Sequence, residues 1–234
     1  MCRRTHRVCS EFGPPEAWSL DAPLRPPAWF WDEVAAFAAA AHTASRGDRA
    51  QARAQFAALR ADDARAWYVE HGQNSSGHRL RVRHIPEAPR GGRADRDVPP
   101  PIQAVVAGRD TCTCQYCGLP TIRADAFDAL AAVVGTDVLP WGKTNAARHG
   151  IALVAWTQFD HVVPNARGGP TTPDNLVVAC ASCNFGKAGA TLEELGLHHP
   201  RRRQLTTPGW DGLAGLIPAL RRLAPSSPTR RRRR

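Results

Sequence analysis

The sequence predicts an α+β protein, with a unit of two strands and one helix between a helical N-terminal region and a basic tail. Apolar residues recur at helical spacing between residues 29 and 67. Two short apolar runs, 151–159 and 175–179, fit strands and lie between two Cys-x-x-Cys pairs. Arginines are concentrated in the last 34 residues. We therefore divide the chain into a helical region (1–85), a linker (86–101), a central domain (102–200, with an insert at about 119–150) and a tail (201–234) that we expect to be disordered.

Charge and cysteine content restrict the class of protein. The formal net charge is +10, and 29 of the 31 basic residues are arginine. Blocks such as residues 230–234 are typical of segments that bind polyanions, and nucleic acid is favoured over membrane lipid. No run approaches the roughly 18 apolar residues of a membrane span. No apolar segment follows the charged opening residues, so we expect an intracellular, cytoplasmic protein. Seven cysteines, an odd number, argue against a disulfide framework.

The N-terminal region is predicted to be a helical hairpin. Gly47 ends its first helix, and Asp48 with Gln51 resembles a capping box that begins the second, which continues to about Glu70. A packing element is the simpler interpretation of this hairpin, and a DNA-recognition module is the alternative. The stripe of the first helix consists of apolar residues at spacings of four, three and four: Phe30, Val34, Phe37 and Ala41.

The segment after the hairpin is predicted to be an edge strand followed by the linker. Residues 79–85 alternate basic and apolar side chains, which favours a strand with cations on one face. Residues 86–101 are rich in proline, glycine and charge and have no helical or strand period.

Two cysteine pairs predict a structural zinc site. Each pair has two residues between its thiolates, which allows both sulfurs to bind one tetrahedral ion. Four sulfur ligands favour zinc and leave no open position for a substrate. Cys112 precedes the first pair but lacks this spacing, and we expect Cys2 and Cys9 to be free thiols. The four predicted ligands are Cys114, Cys117, Cys180 and Cys183.

A second cluster lies inside the loop that the zinc site would close. The strand predicted at 151–159 leads to Asp160 and His161, Pro164 ends it, and Asn184 follows the second strand at a helix start. A carboxylate and an amide oxygen suit Mg²⁺ or Mn²⁺, and a neutral histidine can take a proton from water. These groups together can hydrolyse a phosphodiester bond. Neighbours on a regular strand point to opposite faces, so Asp160 and His161 converge only if the strand end twists or bulges.

The whole pattern resembles the HNH endonuclease family, also called the ββα-metal nucleases. The resemblance covers residues 102–187 and includes both cysteine pairs, Asp-His-x-x-Pro, Gly168-Gly169 and Cys-Asn-x-x-x-Lys, in that order. It implies a DNA endonuclease with structural Zn²⁺ and catalytic Mg²⁺ or Mn²⁺, acting on DNA that we expect to be double-stranded. The roles it implies are a general base, His161; metal ligands, Asp160 and Asn184; a residue that ties the inter-strand loop and orients the base, Asn175; and phosphate contacts, Arg167 and Lys187.

Two features depart from the simplest family pattern. Asn184 occupies the last position of the family's His-Asn-His signature, in place of a histidine. This variant is found in the family and is consistent with Mg²⁺. The insert at 119–150, with a predicted helix over 126–134, is longer than a minimal core needs and is interpreted as a specificity element or a lid. Two other functions stay open. One is a zinc-stabilised nucleic-acid-binding protein without cleavage activity, and the other is a nuclease that acts on RNA or serves as an antibacterial toxin.

Overall fold

The computed structural model describes residues 19–72 and 97–225, and this part of the chain combines helices with one two-stranded sheet. The α+β class is therefore confirmed. Predictions for Cys2, Cys9, the strand at 79–85 and the end of the tail lie outside the described residues. The helices are α1 Trp29–Ser45, α2 Arg49–Ala57, α3 Ala61–Trp67, α4 Pro100–Arg109, α5 Ala124–Val134, α6 Gly150–Ala155, α7 Ala181–Lys187, α8 Leu192–Leu195 and α9 Ile217–Leu223, and the strands are β1 Thr157–His161 and β2 Leu176–Cys180.

The first helix begins and ends where the sequence indicates, and the second begins there. The predicted apolar stripe of α1 is buried, and the Asp48 side chain accepts a hydrogen bond from the Gln51 N–H at 3.1 Å. The long second helix was wrong, because the chain breaks between α2 and α3. The break lets α3 pack on α6, where the Ala61 carbonyl lies so close to Gly150 that a Cβ there would be 1.7 Å from its oxygen. After α3, a π-helical turn continues to residue 72.

One apolar core joins the N-terminal helices to the central domain. Phe37 of α1 packs against Phe56 of α2 and Phe127 of α5, with ring centroids 4.9 and 5.2 Å apart. Helix α5 confirms the predicted helix over 126–134. Because Phe127 and Leu130 are fully buried, this helix is part of the core and cannot act as a lid. The N-terminal hairpin likewise has a packing role.

The sheet is antiparallel, and its register runs without a break from Thr157↔Cys180 to His161↔Leu176. The strand predicted over 151–159 is wrong in its first part, which forms α6. All six residues of α6 are buried. A short apolar run fits a buried helix as well as a buried strand, and periodicity cannot separate them. His149 favours the helix because it caps the N-terminus of α6, where its Nδ1 accepts a hydrogen bond from the Ile151 N–H at 3.3 Å.

Helices cover both faces of the sheet. Helix α7 follows β2 directly and its side chains contact one face of β1. On the opposite face, Val106 of α4 packs with Leu176 and Val178. Helix α4 begins at Pro100, so the predicted linker ends before residue 101. The edge of β2 is capped by Asp110, whose carboxylate accepts the Val178 N–H at 2.8 Å.

The tail predicted to be disordered from residue 201 is folded as far as residue 225. Ile217 and Leu220 of α9 are buried in the shared core, and Thr207 contacts Thr113 at 2.9 Å. The sequence did not predict this folding, because the apolar residues of the segment are too few and too widely separated to give a clear helical period. Among the described helices, none combines the length and apolar character that crossing a bilayer requires.

Candidate metal centre and nuclease site

The four cysteines predicted to bind zinc converge on one point. Their sulfur atoms all lie within 4.8 Å of one another, and the Sγ atoms of Cys117 and Cys180 are 3.7 Å apart. A tetrahedron with Zn–S bonds of about 2.3 Å has edges of about 3.8 Å. The spacing therefore fits a zinc ion. Cys112, by contrast, is buried outside the cluster, and burial raises the pKa of its thiol to about 11.

Backbone geometry forms the two turns that carry these ligands. Gly118 adopts a φ of +83°, which only glycine adopts without strain, and its N–H donates to the Cys114 carbonyl at 2.8 Å. In the second turn, the Cys183 N–H donates to Cys180 Sγ at 3.4 Å. The four-cysteine cluster thus ties the start of the central domain to the junction of β2 and α7.

Asp160 is buried and held by two groups. Its side chain is 5% exposed, the Tyr116 hydroxyl donates to Oδ2 at 2.6 Å, and Lys187 Nζ lies 3.3 Å from Oδ1 and 3.2 Å from Oδ2. Burial raises the pKa of the Asp160 carboxyl, while the charge of Lys187 and the hydrogen bond from Tyr116 oppose that rise. Burial and the neighbouring carboxylate raise the pKa of Tyr116 well above its usual value, so its hydroxyl remains a donor at neutral pH.

His161 is half-buried at the end of β1, and its ring points toward the loop between the strands. Its Nε2 lies 2.9 Å from the Thr171 hydroxyl. The register of β1 is regular through His161, so the bulge that the sequence required for convergence with Asp160 is not formed. The two side chains therefore lie on opposite faces of the strand. Lys187 Nζ contacts the Asp160 carboxylate and, at 2.7 Å, the backbone carbonyl of His161.

Asn175 ties the inter-strand loop, as the resemblance implies. Its Oδ1 accepts the Val163 N–H at 2.9 Å, and its Nδ2 donates to the carbonyls of Val163 and Pro170 at 3.0 and 2.9 Å. The loop reverses at Gly168, which has a φ of +84°. It passes so close to Val163 that a Cβ on Gly169 would lie 1.8 Å from that carbonyl oxygen.

Asn184 lies on α7 over the β1 face that carries Asp160. Its Nδ2 donates to Gln158 Oε1 at 3.3 Å, and Gln158 is two residues before Asp160 on the same strand. Within the described part of the chain, Asn184 Oδ1 has no hydrogen-bond partner. Its amide oxygen is therefore available to a cation.

Both residues predicted to contact phosphate are paired with a carboxylate in this structure. The Lys187 side chain is fully buried beside Asp160. Arg167 pairs with Glu194 of α8 at 3.1 Å, and their side chains are only 14% and 12% exposed.

Sequence reasoning missed three residues around the site: Tyr116, Gln158 and Thr171. Each is polar and contacts a predicted site residue that lies between 10 and 44 residues away along the chain. Tyr116 lies between two predicted zinc ligands, but no spacing rule links it to Asp160, which is 44 residues away.

The structure defines a two-strand and one-helix unit that a four-cysteine cluster closes and that carries a buried carboxylate, a histidine and an amide. Residues 151–188 of this unit match the family model described as HNH endonuclease. The match confirms the family resemblance for this segment and identifies an HNH nuclease domain there. No curated protein and no solved structure gives a significant match to the chain.

Proposed function

We propose that this protein is a metal-dependent endonuclease that hydrolyses phosphodiester bonds of double-stranded DNA. The observation that carries the proposal is the family match over residues 151–188, because this one segment contains His161, Asp160, Asn175 and Asn184. The segment also supplies β1, the connecting loop, β2 and α7. A protein that only binds nucleic acid has no need of this set of residues.

Asp160 and Asn184 would hold one Mg²⁺ or Mn²⁺ ion. The donor set fits such an ion, since a carboxylate and an amide oxygen are the hard ligands it prefers, and both side chains lie on the α7 side of β1. When bound, the ion stabilises negative charge on the phosphate. Lys187 favours the charged form of the buried carboxylate, because an ammonium group beside it opposes the effect of burial on the pKa of Asp160.

His161 would act as the general base. A ring nitrogen takes a proton from the attacking water, and the Thr171 hydroxyl at Nε2 restricts rotation of the ring. Asn175 supports this arrangement by fixing the loop that carries Thr171. His161 and Thr171 lie closer to the surface than Asp160 does, which suits groups that meet a substrate phosphate.

A nucleic acid is proposed as the substrate because of the charge distribution, and duplex DNA because of the family resemblance. The net charge is +10, and Arg221 and Arg222 are exposed on α9, immediately before the arginine-rich end of the chain. Such charge binds phosphates with little sequence preference. RNA, with the same backbone phosphates, is the competing substrate.

The test compares plasmid cleavage by the unmodified protein, His161→Ala and a control, His42→Ala, which alters an exposed histidine of α1. Each is incubated with supercoiled plasmid, single-stranded DNA or RNA, in Mg²⁺, Mn²⁺ or chelator. We expect His161→Ala to cut about 10² to 10⁴ times more slowly, with unchanged zinc content and DNA affinity. His42→Ala should cut normally.

Asp160→Asn tests the role of the metal ligand independently of the role of the general base. This variant leaves the buried Lys187 charge without its partner, so it is assayed at a temperature at which thermal unfolding shows that it remains folded. There it should recover part of its activity as Mn²⁺ is raised, whereas His161→Ala should not. Equal cleavage by His161→Ala and the unmodified protein would refute the assigned base. If the unmodified protein binds DNA but cuts nothing with either metal, it is a zinc-stabilised nucleic-acid-binding protein.

A further inference from the structure

Tyr116 connects the four-cysteine cluster to the carboxylate of the nuclease site. It lies between Cys114 and Cys117 and is fully buried. Its hydroxyl donates to Asp160 Oδ2 at 2.6 Å, a distance typical of a hydroxyl that donates to a charged carboxylate. The turn that carries Cys114 and Cys117 therefore contacts Asp160, the candidate ligand of the catalytic metal, directly.

The second residue that contacts Asp160 also lies close in sequence to a predicted zinc ligand. Lys187 is on α7, four residues after Cys183, and its ammonium contacts the same carboxylate. Both anchors of Asp160 thus belong to segments whose positions depend on the four-cysteine cluster. The position of the Asp160 carboxylate therefore depends on the four-cysteine cluster as well as on β1.

The two anchors differ in what they fix. Lys187 Nζ is almost equally distant from the two oxygens of Asp160, at 3.2 and 3.3 Å. It therefore balances the negative charge but does not favour one rotation of the carboxylate about its terminal torsion. That rotation is soft, because terminal torsions of this kind have broad minima. Tyr116 contacts Oδ2 and so selects one orientation of the group.

We propose that Tyr116 is a positioning residue that orients the Asp160 carboxylate for a divalent cation and makes this orientation depend on the zinc site. This inference rests on the proposed function, in which Asp160 is a metal ligand. Groups that hydrogen-bond to metal ligands commonly change metal affinity or activity by about 10- to 100-fold when they are removed.

The chain offers a matched control, because it contains two tyrosines. Tyr68 is also buried, and its hydroxyl accepts a hydrogen bond from Asn145 Nδ2 at 2.9 Å instead of contacting a proposed metal ligand. Tyr116→Phe and Tyr68→Phe each remove one oxygen atom from a buried tyrosine. A general loss of stability therefore affects both variants, whereas a loss of metal affinity should affect one.

The experiment measures Mn²⁺ binding to the zinc-loaded full chain by calorimetry without DNA, together with zinc content and the Mn²⁺ dependence of plasmid cleavage. We expect Tyr116→Phe to retain its zinc, to bind Mn²⁺ about tenfold more weakly and to cut more slowly, with an unchanged KM for DNA. Tyr68→Phe should match the unmodified protein in Mn²⁺ affinity and KM.

Three results would overturn the inference: equal Mn²⁺ affinity in Tyr116→Phe and Tyr68→Phe, loss of zinc from Tyr116→Phe, or no Mn²⁺ binding by the unmodified protein. Failure of the proposed function looks different. If the unmodified protein binds Mn²⁺ but does not cut, the proposed nuclease activity fails, and the calorimetric comparison still decides the role of Tyr116.

Discussion

The ammonium of Lys187 lies 3.2 Å from Oδ2 of Asp160 in a place where the lysine side chain is fully buried and the carboxylate is 5% exposed. Neither charge is stable there alone, because moving one ion out of water costs several kcal/mol. Each side chain makes burial of the other possible. This pair holds the lysine that closes the family pattern below the surface and favours the ionised form of the carboxylate against the effect of burial on its pKa.

Replacing Lys187 should therefore affect stability more than DNA binding. We expect Lys187→Met to lower the free energy of unfolding by about 3–5 kcal/mol, since it leaves a buried charge without its partner. Denaturant unfolding measures this loss. Lys187→Met with Asp160→Asn removes both charges and should recover much of it. If Lys187→Met instead keeps its stability and only flattens the salt dependence of DNA binding, Lys187 is a phosphate contact after all.

Removing a zinc ligand should unfold the central domain. A structural zinc site supplies on the order of 10 kcal/mol, which is comparable to the whole stability of many domains. Cys180→Ser should thus give a zinc-free protein without cooperative unfolding. Cys112→Ser, which alters a buried cysteine outside the cluster, should retain its zinc. Elemental analysis and thermal unfolding are the measurements, and purified unmodified protein without zinc would contradict the prediction.

Acid should destabilise the fold through His149. Its side chain is buried, and this burial, aided by the charge of Arg65, lowers the pKa of the imidazole to about 4. In the unfolded chain the pKa is about 6.5, so between these values the unfolded state binds a proton that the folded state does not. The free energy of unfolding should fall as pH drops below about 6.5, by at most about 1.4 kcal/mol per pH unit.

Substitution by asparagine isolates this effect. Asparagine at position 149 can still cap α6 but does not titrate, so His149→Asn should show a weaker pH dependence between pH 7 and pH 5. Urea unfolding at several pH values measures the difference. Parallel pH profiles for the two proteins would show that another group is responsible.

The arginines after α9 should strengthen DNA binding without contributing to the fold. Deleting residues 226–234 removes five arginines and leaves α9 intact. Each lost phosphate contact should flatten the plot of log affinity against log salt by about 0.9. A full-length variant with glutamine at positions 230–234 controls for chain length and should behave like the deletion. A salt slope equal to that of the unmodified protein would exclude contacts between these arginines and phosphates.

Local patterns were enough to predict the four-cysteine cluster and the first helix. Cys114 and Cys117 are two positions of one turn, and the stripe of α1 follows the helical period, so both features are properties of a few neighbouring residues. The reversal at Gly168 is also a local feature, because its positive φ favours glycine. The family resemblance depended on these local features.

Contacts between distant segments decided the rest. Residues 150–155 are helical because His149 caps them and the core surrounds them, although the run is as apolar as a strand. Residues 201–225 are folded because α9 contributes to a core that begins in α1. The partners of Asp160 are 27 and 44 residues away. Spacing along the chain specifies which groups share a turn, whereas burial and charge pairing depend on which segments the fold brings together.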